Sequence, residues 1–324
     1  IYAYSTTTNS SYIPVFNMSG SNIMDNNRGV YIYAYDGGDR SYPQITATNN
    51  NIHSNVDKNI YVNRGADPRS TEFDFRNNWW GSSDGVTIAS KIYDYSSYVY
   101  CAFVNYLPFL NAPFDQGGVS TPGNYKAGLI HQNTTWTLAN SPYVVIGKVV
   151  VEAARMLTIE PGVEIRFQSG GIEVDGALSA AGTSSNRIVF TSNQATPVPG
   201  NWGGISFTSL SGYVPSVITN CEFYYATTAL GFTNISTDYT MNVSSCLFDN
   251  ISSDPISVNN SQVNISGCTI QNFGSNGIIA SGTNAKVEVN NSQITQVLQT
   301  RIRTATGIQG TNGAIMSLTG NAVS

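Results

Sequence analysis

Along most of the chain apolar residues alternate with polar ones in short runs, separated by clusters of Asn, Ser and Gly. Alternation with a period of two predicts half-buried strands. The run Val287-Glu-Val-Asn-Asn-Ser-Gln-Ile294 serves as a template for the pattern. It recurs as Val263-Asn-Ile-Ser-Gly-Cys-Thr-Ile270, Met241-Asn-Val-Ser-Ser-Cys-Leu-Phe248, Ser216-Val-Ile-Thr-Asn-Cys-Glu-Phe223 and Met316-Ser-Leu-Thr-Gly-Asn-Ala-Val323. The same frame falls at residues 16–23, 45–52 and 73–80. Each copy joins a short strand to a turn and then to a second strand such as Gly29-Val-Tyr-Ile-Tyr-Ala-Tyr35 or Asn276-Gly-Ile-Ile-Ala280. Copies follow at roughly 22 to 29 residues, the length of one coil of a β-solenoid. No segment sustains a capped helical period, and the Leu-x-x-Leu-x-Leu spacing of leucine-rich repeats is absent. The pattern predicts an all-β chain forming a right-handed parallel β-helix, with Phe16, Met18, Ile45, Val243, Ile265 and Val289 in one inward column.

Two motifs in the middle of the chain sharpen this expectation. Asn77-Asn-Trp-Trp-Gly-Ser-Ser-Asp-Gly85, followed by Tyr106-Leu-Pro-Phe-Leu110, resembles the closing segment of a pectate-lyase-like β-helix domain of secreted and cell-surface proteins. Thr135-Trp136, Ser141-Pro-Tyr-Val-Val145, Leu157-Thr-Ile-Glu-Pro-Gly-Val163 and Ile188-Val-Phe-Thr-Ser192 resemble the opening coils of a second such domain. The resemblance is specific for fold rather than activity, because the family includes polysaccharide lyases, hydrolases, adhesins and surface-layer components. Residues 111–134 carry the Pro and Gly density of a linker. The expected organisation is a first β-helix segment at 1–110, a linker and lead-in at 111–141 and a second β-helix segment at 142–324.

Composition narrows the function classes. Lys and Arg number 15 against 20 Asp and Glu, a net charge of −5, and only 11% of the 324 residues are charged. A basic nucleic-acid binder is excluded, as is a charged disordered tail. No apolar run approaches the ~18 residues of a membrane-spanning helix. Four cysteines and two histidines lack the close spacing of a zinc site. The first residue is Ile1 rather than Met, and the expectation is a processed or excised piece of a longer protein.

Candidate chemistry follows from the template columns. Cys221, Cys246 and Cys268 share a column with Ser292 and Asn321, while Ser21, Asn50 and Asn78 fill it in the first segment. Rungs in register stand ~4.8 Å apart, so the expectation is a buried ladder of reduced thiols and turn-bonding amides. Aligning Ile1-Tyr-Ala-Tyr4 with Ile32-Tyr-Ala-Tyr35 puts Tyr2 over Tyr33 and Tyr4 over Tyr35, with Tyr31 beside Tyr61. These outward rings suit a sugar face or a neighbouring chain, or else they stiffen their own sheet.

A β-helix lyase would need converging carboxylates and a base. Glu164, Glu173 and Asp175 are the candidates for one face, with Glu164–Arg166 and Asp74–Arg76 also readable as plain ion pairs. No cofactor is implied. Calcium is the one candidate ion, at Asp36, Asp39, Arg40, Asp57 and Lys58. Asn-x-Ser/Thr sequons occur at Asn9, Asn17, Asn133, Asn234, Asn242, Asn250, Asn259, Asn264 and Asn290.

The leading expectation is an extracellular structural or adhesive protein of a prokaryotic cell surface, a filament or surface-layer component. A polysaccharide lyase or glycoside hydrolase with a groove along the helix is the rival, and a non-catalytic carbohydrate-binding module is the third reading. The expected partners are further coils of the same chain or copies stacked head to tail, since Ile1 and Ser324 fall within the coil pattern, together with cell-surface glycans. Neither nucleic acid nor a transmembrane segment is expected.

Overall fold

The computed structural model describes residues 1–5, 13–34, 42–63, 71–208, 216–236, 238–296 and 306–324. The chain divides into two compact units, Ile1–Leu129 and Ile130–Ser324. Both are parallel β-solenoids.

In the first unit the strands Tyr2–Ser5, Arg28–Ala34, Lys58–Val62 and Ile92–Tyr93 form one parallel sheet. Val15–Met18, Gln44–Ala47, Glu72–Asp74 and Phe103–Asn105 form a second. The short pair Asn22–Ile23 and Asn51–Ile52 makes a third face. A six-residue helix, Gly85–Ser90, interrupts the coils, with the Asp84 carboxylate accepting from the Thr87 amide at 2.9 Å.

The second unit has three parallel faces. One is an eight-stranded sheet from Thr134–Trp136 to Ile315–Thr319. The other two share the nine-residue strand Tyr143–Val151. Its first half pairs with Glu164–Phe167 and its second half with Ile172–Val174, and each line of strands then continues coil by coil.

The expected inward column is largely buried. Ile45, Val243, Ile265 and Val289 are at most 5% exposed. Phe16 and Met18 are half-buried, because their strand has a neighbour on one side only. Inside the second unit, identical residues stack rung on rung. The rings of Phe190, Phe223 and Phe248 lie parallel with centroids 4.8 and 4.9 Å apart, so the middle ring, Phe223, buries both faces on its neighbours.

The abundance of Asn and Gly has a backbone cause. Eight coils place a residue in the left-handed region at the same turn: Gly20, Asn49 and Asn77 in the first unit, then Asn220, Ser245, Gly267, Asn291 and Gly320 in the second. Asn and Gly are the residues that reach this region at least cost. At Gly204 the requirement is absolute, since φ is +111° and a Cβ would lie 1.6 Å from the Thr228 carbonyl oxygen.

Much of the stretch read as a linker and lead-in at 111–141 is folded. Asn51 accepts from the Phe114 amide at 3.0 Å and donates to Asp115 at 3.1 Å, which ties the turn Phe114–Gln116 to a coil of its own unit. Thr134–Trp136 is already the first rung of the eight-stranded sheet, pairing with Leu157–Ile159. Pro and Gly mark turns as readily as linkers.

Candidate binding faces

The outward tyrosines form a continuous ladder. Ala3, Ile32, Ile60 and Ile92 are buried, so alternation turns Tyr2, Tyr31, Tyr61 and Tyr93 outward in one register column. Ring centroids are 5.2, 5.3 and 4.6 Å apart in turn, and the last two pairs are within 6° of parallel. The Arg28 guanidinium sits 3.8 Å from the Tyr61 centroid and 5.3 Å from Tyr31, held by Asp57 at 2.8 Å. The hydrogen bond to Asp57 raises the Arg28 pKa, and desolvation raises that of Tyr31.

This register corrects the alignment drawn from the sequence. Tyr2 stands over Tyr31 and Tyr4 over Tyr33, two residues from the expected match. A shift of two preserves which face each side chain takes, so the alternation could not expose it. Tyr35 lies outside the described residues.

Stacking also limits what the ladder can bind. A sugar packs against a ring face, yet the faces between Tyr2 and Tyr93 are turned to neighbouring rings or to Arg28. The rows present ring edges and hydroxyls instead. Tyr2, 73% exposed, and Tyr4, 54% exposed, are the most open rings.

The acidic candidates do not converge. Glu164 pairs with Arg166 at 2.9 and 3.0 Å, and Glu173 with Lys148 at 3.3 Å. Asp175 is 5% exposed and accepts from the Thr208 hydroxyl at 2.6 Å. Glu164 and Glu173 neighbour opposite ends of Tyr143–Val151, beside Pro142 and Val150. Eight residues separate those neighbours, up to about 26 Å of chain at ~3.3 Å per residue. Nearness in sequence had suggested nearness in space, but the long strand spreads its two partners along its length. Asp74 is likewise spent on Arg76 at 2.8 Å, which lowers the Asp74 pKa.

The cysteine column stacks in register. All four cysteines are free and buried. Cys221 lies within hydrogen-bond reach of the Ala180 and Thr219 carbonyls at 3.3 and 3.4 Å, and Cys246 reaches Ser244 at 3.2 Å. Contact with the neighbouring thiol of the column raises the pKa of Cys246 and Cys268. Protonated thiols are poor nucleophiles and metal ligands. Further along, the Cys268 amide donates to Ser292 at 3.2 Å and the Ser292 amide to Asn321 at 2.8 Å. The equivalent column of the first unit is an amide ladder in which Ser21 donates to Asn50 at 3.1 Å and Asn50 to Asn78 at 2.9 Å.

With this geometry in hand, known proteins place the second unit's opening coils. Residues 128–212 match the pectate-lyase-like β-helix domain. Protein bark beetle of Drosophila melanogaster is 30% identical over 162 residues, covering 46% of this chain and 5% of that protein. The chain thus corresponds to a small fraction of that relative's length. No solved structure matches the chain. The β-helix match takes in Thr135-Trp136 and the segments around residues 141–192 that carried the resemblance. The motif at 77–110 lies outside it.

The calcium candidates Asp36, Asp39 and Arg40 lie outside the described residues, while Asp57 is engaged by Arg28. Among the described residues no group of three or more His, Cys, Asp or Glu is placed to hold a metal ion. Tyr93 was missed in the sequence, although Ile60-Tyr61 and Ile92-Tyr93 repeat the same pair.

Proposed function

We propose that this chain is a structural or adhesive segment of an extracellular protein, in which the coils hold outward faces in fixed positions for contact. The observation that carries the reading is the deployment of the polar side chains. Inward, amide, hydroxyl and thiol columns bond the turns of successive rungs. Glu164, Glu173 and Asp175 are paired with Arg166, Lys148 and Thr208 on separate stretches of sheet, so these three acids and their partners flank no common substrate position. The low charge agrees with this role, since it steers no charged partner from a distance. The match to part of an insect protein favours no prokaryotic host, and the proposal carries none.

Contact partners in this reading are cell-surface glycans at the open Tyr2 and Tyr4 rings, and further coils, whichever chain supplies them. The strands Tyr2–Ser5 and Val15–Met18 have a parallel neighbour on one side only, and Val15, Ile315, Leu318 and Val323 expose apolar surface at the outermost rungs. Unpaired strand edges of this kind accept another strand.

The test is retention against catalysis. Beads coated with the chain, produced by secretion from insect cells, are expected to adhere to extracellular matrix. Adhesion should survive Glu164→Gln, Glu173→Gln and Asp175→Asn, with no sugar released from pectins, alginates or neutral glycans. Loss of adhesion to every surface would count against the proposal, and product release abolished by Glu173→Gln would replace it with the enzyme reading.

A further inference from the structure

In the first unit, the rung at Trp79 ends abruptly. Trp79 pairs in parallel with Asn51, and the Ile52 amide donates to its carbonyl at 2.8 Å. Two residues on, Gly81 has φ +79°, and a Cβ there would come within 2.7 Å of the His53 Cβ. Strand pairing stops, and the helix Gly85–Ser90 carries the chain to the next rung at Ile92. A recess of about 450 Å³ remains, lined by His53, Asn59, Trp79, Trp80, Ser82 and Lys91 among others. Ligand pockets run from about 300 to 1,000 Å³.

The lining is rich in donors. Asn59, 2% exposed, accepts from Asn55 through its oxygen, which leaves its NH₂ group to donate. The Ser82 hydroxyl accepts from the Asp84 amide and so keeps its own proton to give. His53 faces the Ser54 hydroxyl through Nδ1 at 2.8 Å, which leaves Nε2.

Lys91 donates to the carbonyls of Asn55, Val56 and Asp57 at 3.3, 3.1 and 3.5 Å. Its hydrogen bonds are used on backbone, and no carboxylate lines the recess itself, the nearest being Asp84, which accepts from the lining Thr87 hydroxyl at 2.6 Å. Trp79, half-buried, adds an aromatic wall.

We propose that this recess binds a sulfate-bearing pyranose of an extracellular glycan. The ring would pack on Trp79, as sugars do on aromatic faces. The sulfate oxygens would accept from the Asn59 amide, the Ser82 hydroxyl and the His53 Nε2 in the field of Lys91. A sulfate is favoured over a carboxylate by the arrangement of donors. They come from separate chain segments, which suits three tetrahedral oxygens better than two coplanar ones. The site stands apart from the structural reading and can fail or hold without it.

The chain has two histidines, so ring ¹⁵N resonances report His53 with His131 as an internal control. The full chain is titrated with 6-O-sulfated N-acetylglucosamine, N-acetylglucosamine, glucuronic acid and sodium sulfate. The sulfated sugar is expected to shift the His53 signals alone and to bind at least tenfold more tightly than the other three. Trp79→Ala and, as a milder exposed change, Ser82→Ala should each weaken it about tenfold, or ~1.4 kcal/mol. The proposal is overturned by no His53 shift at millimolar sulfated sugar, by equal binding of any of the other three probes, or by unchanged affinity in both variants.

Discussion

Replacing Asn78 by Asp changes one NH₂ group to oxygen with almost no change of shape, and the amide ladder turns that into a large, pH-dependent loss. Asn78 is fully buried. Its NH₂ group donates to the Ala47 and Phe75 carbonyls at 2.6 and 2.7 Å, while its oxygen accepts from the Asn50 amide at 2.9 Å. A charged Asp would set carboxylate oxygen against two carbonyls at a position closed to solvent. The cheaper route is to keep the acid protonated. From a reference pKa of about 3.9, that costs about 1.4 × (7 − 3.9), or ~4 kcal/mol, at pH 7. The single O–H then satisfies one carbonyl and leaves the other bare, at ~1–3 kcal/mol.

The expected loss for Asn78→Asp is therefore about 5–7 kcal/mol at pH 7 and about 1–3 kcal/mol near pH 4. The sign follows from a folded pKa raised above the unfolded one. Stability is retained below pH 4 and lost as pH rises toward the folded pKa. Urea unfolding followed by Trp79 and Trp80 fluorescence at both pH values, against the unsubstituted chain and Asn78→Ala, measures this. Asn78→Ala should lose the same amount at both. A loss for Asn78→Asp that does not change between pH 4 and 7 would refute the buried ladder.

Other substitutions probe other parts of the fold. Phe223→Ala removes a ring stacked on both faces and should cost about 3–5 kcal/mol in urea unfolding of the second unit, with Phe223→Leu costing clearly less. Gly204→Ala should prevent that unit from folding, read as loss of its strand circular dichroism, because the added Cβ has no room beside Thr228. Native protein should resist iodoacetamide at pH 8.5 at all four cysteines and yield four thiols when denatured. Burial pushes the Cys101 thiol up to about 12, so its contribution to stability should hold below pH 9 and fall away as pH rises from 9 to 12.

The coil architecture was legible because alternation and turn chemistry repeat together, so Val243, Ile265 and Val289 could be placed inward from spacing alone. The cysteine column was legible for the same reason. What alternation does not carry is absolute register, and the tyrosine ladder was therefore drawn two residues out. Three-dimensional separation was also hidden. Glu164 and Glu173 looked like neighbours until the strand Tyr143–Val151 set them far apart. The His53–Trp79 recess left no periodic trace, since it arises where a coil is broken off at Gly81 rather than where one is formed.

The account depends most on rungs stacked in parallel register, and a spin-label distance across several of them tests this directly. Ser179, Val217, Asn242, Asn264, Glu288 and Ser317 form one outward column of six rungs in the eight-stranded sheet. Nitroxides on Ser179→Cys and Ser317→Cys, with the native thiols buried and unreactive, are 138 residues apart in sequence but five rung spacings apart in space. Double electron–electron resonance should give a narrow distribution centred near 24 Å at ~4.8 Å per rung, broadened only by the label arms. A broad distribution, or a centre well beyond that distance, would contradict the stacked solenoid.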